Sequence, residues 1–129
     1  YFKRLGDKSP NAYVASRQLS CAYARDFNER YPDMPGVWYQ SYASLMKRGC
    51  SSKLLCIPYW ILKALDAEND GLVTEESARW TNFKGTIRNT YLRGISHGDM
   101  IDLTREDYRG FDVLEFYIDV VKDLKERGF

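Results

Sequence analysis

A layered α/β arrangement is predicted, because two β-forming runs lie between one helical pattern near the start of the chain and another at its close. The 129 residues are 44% hydrophobic and 29% charged, which describes one globular unit rather than a disordered chain. Two or three strands with flanking helices and abrupt ends look like a piece of a domain rather than a whole one.

The first helix is expected over residues 11–30, with Ser9 as its cap and Pro10 where a missing N–H does no harm. Ala12, Ala15, Leu19, Ala22, Tyr23 and Phe27 recur at helical spacing, and Pro32, Pro35 and Gly36 end the pattern. Val37 to Ala43, rich in aromatic and β-forming residues, predicts a strand. Lys47 to Lys53 is a polar loop, and Leu54 to Leu65 is an apolar stretch split by Pro58. A turn-rich loop over Asp66 to Thr74 precedes a short helix from Glu75 to Trp80. Lys84 to Arg93, with Gly85 and Gly94 near its ends, predicts the second strand. In the last helix Asp112 is the cap and Glu115 completes a capping-box pattern. Leu114, Tyr117, Ile118, Val121 and Leu124 share one face, and Lys122, Lys125 and Arg127 sit at the dipole-negative end before Gly128.

Composition excludes several functions. Nineteen basic against 18 acidic side chains leave a net charge of +1, so no basic field exists for a nucleic acid. No apolar run approaches the roughly 20 residues of a membrane span, and Tyr1-Phe2-Lys3-Arg4 lacks the features of a signal peptide. Cys21, Cys50 and Cys56 form no C-x-x-C pair and His97 is the single histidine, which argues against structural zinc. Free, buried thiols are expected, with a Cys50–Cys56 bridge as the alternative. Trp38, Trp60 and Trp80 are expected as core anchors.

The loop from Asp66 to Ser77 supports two readings. As an EF-hand-like calcium-binding module without catalytic activity, it has oxygen ligands at positions one, three and five and Gly71 at position six. Ser77 then stands where a bidentate glutamate should close the shell, and no second such loop occurs. As part of a catalytic site, Asp70 lies on a tight turn and His97 follows a second strand. A buried carboxylate can fix an imidazole tautomer and stabilise the imidazolium that forms. Gly94-Ile95-Ser96-His97-Gly98 also fits the nucleophile-elbow pattern, but Ser96 would need a histidine later in the chain, and none follows His97. No nucleophile is visible by this pattern.

Several short motifs together carry a resemblance. They are Gln18-Leu19, Phe27-Asn28 with Tyr31-Pro32-Asp33, and Gly36-Val37 with Tyr39, Ser41 and Tyr42. Next come Asn69-Asp70-Gly71-Leu72-Val73 with Ser77, Gly94-Ile95-Ser96-His97 with Asp99, and Gly110-Phe111-Asp112-Val113 with Phe116-Tyr117. In this order they resemble the C-terminal half of secreted bacterial triacylglycerol lipases of the α/β-hydrolase family. The resemblance implies that residues 1–129 are the C-terminal part of a lipase domain, with the nucleophile-bearing part outside them. It assigns Asp70 as the acid that orients His97, and His97 as base and then acid in carboxylic ester hydrolysis. It implies a lipid or ester substrate, transient contact with a lipid interface, secretion, and no required cofactor. Asp99 falls where some such lipases hold calcium; a plain surface position is the alternative for it.

Overall fold

A computed structural model describes residues 11–18, 20–65, 67–105 and 107–129, apart from the side chains of Ala12, Ala15, Ser16 and Cys50. Ser9, Pro10, Leu19 and Asp66, invoked above, lie outside the described residues. The chain divides into two compact units, Tyr1–Trp38 and Tyr39–Phe129.

In the first unit the helix expected over 11–30 is two helices, α1 (Ala12–Gln18) and α2 (Cys21–Arg30). Asn11 Oδ1 caps α1 by accepting the Val14 N–H at 3.0 Å. Ser20 adopts an extended backbone, and its Oγ accepts the Tyr23 N–H at 3.3 Å, so the serine opens a second helix instead of continuing the first. Tyr13, Phe27 and Tyr31 are exposed, as is Cys21, which corrects the expectation of a buried thiol there.

The second unit is built on a parallel pair, β1 (Ser41–Ser44) and β2 (Phe83–Ile87). Both are shorter than the predicted strands. Residues 37–40 have no regular structure, and after Ile87 the chain bends at Thr90 and Tyr91 and turns through Leu92 and Arg93. Ser41 pairs with Phe83 but Ala43 pairs with Thr86, so β2 carries an extra residue. Gly85, at φ +126°, absorbs it, which places this glycine inside a bulge rather than at a strand boundary.

Parallel strands need a crossover, and here it holds α3 (Cys56–Ala64) and α4 (Glu75–Ala78). Pro58 does not split the apolar stretch. It occupies the first turn of α3, where its absent N–H has no intrahelical partner to lose. Cys56 in the same turn is a half-buried free thiol. Thr74 Oγ1 caps α4 by accepting the Ser77 N–H at 3.1 Å. The closing helix, α5 (Val113–Glu126), matches its prediction: Asp112 Oδ1 accepts the Leu114 and Glu115 amides at 2.9 and 3.0 Å. It ends in a Schellman arrangement, with Gly128 at φ +93° donating to Lys125 O and Phe129 donating to Leu124 O.

The periodicity of α5 marks an apolar face but not what covers it. Leu114, Tyr117, Ile118 and Val121 are exposed, while the inward positions include Phe116, whose ring meets Tyr42 edge-on at 5.1 Å. On α3 the apolar residues Ile57, Trp60 and Ile61 are likewise exposed. Trp60 and Trp80 are therefore not core anchors, and Trp38, in the first unit, is half-buried. Among the described residues the buried apolar set is Ala43, Leu45, Met46, Tyr59 and Ile95, gathered at and beyond the C-terminal end of β1. The same place holds the buried polar side chains Ser44, Asn69, Asp70, Ser96 and Asp99.

Glu75 ties α4 to β2. Its carboxylate accepts from Thr86 Oγ1 at 2.6 Å, Arg79 at 2.9 Å and Arg88 at 3.1 Å. The Thr86 hydroxyl above all, with the two arginines, holds its pKa below the ordinary glutamate value. A folded-state pKa below the unfolded one gives stability that is present at neutral pH. That stability is lost as pH falls from the ordinary glutamate range through the lowered folded value. Glu75→Gln is expected to flatten this acid limb in thermal melts recorded against pH; an unchanged slope would assign the acid sensitivity to other carboxylates.

Candidate active site

The segment Leu45–Lys47, continuing from β1, is a strip on which two loops are laid. On one side Met46 N donates to Asn69 O at 3.0 Å. On the other, Ile95 N donates to Leu45 O at 2.7 Å and Lys47 N donates to Arg93 O at 3.2 Å. Gly94 sits in the left-handed region at φ +72°, and a Cβ there would lie 2.5 Å from both Leu45 O and Lys47 N. Only glycine allows this approach of backbone to backbone.

The Asn-Asp-Gly turn is self-supporting. Asn69 is buried, its Oδ1 accepting the Gly71 N–H at 2.9 Å and its Nδ2 donating to Ala67 O at 2.9 Å. Gly71, at φ +97°, passes so close to Leu55 and Met46 that a Cβ would meet each at 2.8 Å. Asp70 is 5% exposed, and its carboxylate has four partners. Oδ1 accepts the Leu72 and Val73 amides at 3.0 and 2.8 Å, an Asx-turn geometry. Oδ2 accepts the Ser44 hydroxyl at 3.2 Å and lies 2.9 Å from His97 Nδ1.

Asp70 and His97, 27 residues apart, thus meet. They are linked a second time through the main chain, where His97 N donates to Asp70 O at 2.9 Å. A buried carboxylate favours the tautomer with the proton on Nδ1 and leaves Nε2 as a base. The imidazole side chain is 42% exposed, and among the described residues Nε2 has no hydrogen-bond partner. This arrangement can accept a proton at Nε2 and stabilise the resulting cation.

Ser96 belongs to the framework. It is 1% exposed, its Oγ accepts the Asp99 N–H at 3.3 Å, and Asp99 Oδ2 accepts the Ser96 N–H at 2.8 Å. This reciprocal pattern is that of a capping box and engages the Ser96 hydroxyl with Asp99. Among the described residues no serine, threonine or cysteine bonds to the His97 ring.

Asp99 is buried rather than a surface residue, and it bonds to Ser96. Its Oδ1 accepts from Arg93 Nη2 at 2.9 Å and its Oδ2 also bonds Arg93 Nη1. Both oxygens face a guanidinium, and among the described residues no group of three or more His, Cys, Asp or Glu side chains could hold a metal. This donor set does not fit calcium, which takes six to eight oxygens. In the EF-hand alternative the described ligand oxygens at positions three and five also pair elsewhere: Glu68 with Lys63 and Asp70 with His97.

Ser44 and Arg93 escaped the sequence reading. Ser44 directly follows the predicted strand, yet only the closed fold brings it to Asp70. The sequence puts Arg93 at the end of a strand, whereas the chain is already turning there. The Ser96–Asp99 spacing was the available signal that Asp99 has an internal task.

The chain resembles a yeast lipase. It is 31% identical over 132 residues to Triacylglycerol lipase 2 of Saccharomyces cerevisiae, a match covering 87% of this chain. The chain spans 37% of that lipase's length. A lipase relationship is supported, and the two-stranded parallel sheet with its helices is compatible with part of an α/β fold. No family model matches the chain, and no solved structure matches it significantly. A cleft of about 380 Å³ lies on the Asp99 side of the turn, lined among others by Lys53, Arg93, Leu103 and Tyr108. Neither Asp70 nor His97 lines it.

Proposed function

We propose that this chain supplies the base and the orienting acid for carboxylic ester hydrolysis, with triacylglycerol or a related lipid ester as substrate. His97 Nε2 takes the proton of a serine hydroxyl as that oxygen attacks the ester carbonyl, then returns it to the leaving alkoxide. Asp70 orients the imidazole throughout, and its two turn amides and the Ser44 hydroxyl hold it aimed at Nδ1. The serine and the oxyanion-binding amides come from polypeptide outside these residues, which form the C-terminal part of an α/β-hydrolase domain. The enzyme acts on substrate at a lipid interface and outside the cell, as the likeness to secreted lipases implies.

The observation that carries this reading is the 2.9 Å contact between a buried carboxylate and a part-exposed imidazole whose other nitrogen is open. The residues by themselves are expected to hydrolyse no p-nitrophenyl ester above the buffer rate, since no acyl-enzyme can form. In the longer polypeptide a serine-directed phosphonate is expected to label a serine outside them. Turnover by the isolated chain, with a phosphonate on one of its own serines, would defeat the proposal.

A further inference from the structure

We propose that Arg93 is a positioning residue for His97, its guanidinium serving as a fixed internal cation that locks the Gly94–Asp99 turn without a divalent ion. The proposal rests on the reading of His97 and Asp70 as base and acid. Asp99 is a buried carboxylate on the loop that presents the imidazole, and a buried charge requires a counter-charge. Arg93 meets it with both Nη atoms, and such a planar fork fixes the plane of the carboxylate as well as its distance. Asp99 Oδ2 also takes the Ser96 amide, so the ion pair fixes the residue immediately before His97 and the one two places after it.

Arg93 is itself held on three sides. Its Cζ lies 3.6 Å from the centroid of the Tyr108 ring, a cation–π distance. Its carbonyl accepts the Lys47 amide at 3.2 Å and the Ser51 hydroxyl. The arginine backbone is thus fastened to the strip at the end of β1 while its side chain is fastened to the histidine turn. That is the mechanical task a bound cation would perform, and the guanidinium already faces the oxygens such an ion would need.

The test uses the longer protein that carries this chain, with histidine-selective 15N labelling. The Nδ1 proton of His97 is assigned by its loss in His97→Gln, and ester hydrolysis is followed on a soluble substrate. In the wild type both the Nδ1 proton signal and kcat are expected to be the same with EDTA or with added calcium. Arg93→Met is expected to broaden the Nδ1 signal away and to lower kcat about 10- to 100-fold, with KM changed less than about twofold. Arg93→Lys recovers only part, because an ammonium cannot match the fork. An Nδ1 signal and kcat untouched in Arg93→Met overturn the proposal. So does a wild-type signal erased by EDTA and restored by calcium, an arm that decides the matter even if Arg93→Met fails to fold. Ester hydrolysis unaffected by His97→Gln would instead remove the catalytic reading, while the Nδ1 and EDTA results still judge the clamp.

Discussion

Asp70→Asn in the longer enzyme is expected to lower kcat by about 10⁴ while leaving the fold nearly intact. The substituted side chain keeps one oxygen, which can go on accepting the Leu72 and Val73 amides that shape the turn. Its amide nitrogen then faces Ser44 Oγ and His97 Nδ1. The serine hydroxyl can rotate to accept, but the imidazole must present a lone pair at Nδ1 and carry its proton on Nε2. A protonated Nε2 cannot take the proton of a nucleophile. Steady-state kinetics on a soluble ester, with a thermal melt for each protein, separates the two effects. A loss of less than about tenfold would make Asp70 a structural residue of the turn.

Gly94→Ala is expected to cost about 3 kcal/mol of stability and to lower activity as well, because two penalties act together. The left-handed backbone disfavours any Cβ, and here the added carbon would press on the main chain of Leu45 and Lys47. Relief requires opening the Met46–Gly94 bridge, which carries the histidine loop. Gly128→Ala is the control, since Gly128 shares the positive φ but has open space where a Cβ would stand. Denaturant midpoints at constant m-value give the comparison. Equal losses at the two sites would show that backbone strain alone, and not the close approach, sets the cost.

What was legible in the sequence was local. The cap at Asp112, the stop at Gly128 and the Asn-Asp-Gly turn depend on residues within a few positions of each other. The break between α1 and α2 was legible in principle too, since Ser20 with Tyr23 is an N-cap pair; the continuing apolar spacing hid it. Strand lengths were overdrawn because aromatic residues at 37–40 favour extended backbone without guaranteeing a partner. The meeting of Asp70 with His97 came from motif order and family likeness, not from spacing, because 27 residues of chain carry no information about closure. Ser44 and Arg93 lay beyond reach for the same reason: each acquires its role only when a segment distant in the chain is laid beside it.

The uncovered rows on α3 and α5 have a thermodynamic consequence. Any surface that seats on Ile57, Trp60 and Ile61, or on Leu114, Ile118 and Val121, meets an array that exists only once the helices have formed. Such a ligand binds the native state and not the denatured one, and mass action then raises the melting temperature with its concentration. With such a ligand dissolved beside them, the heat resistance of these residues would be a property shared with that company.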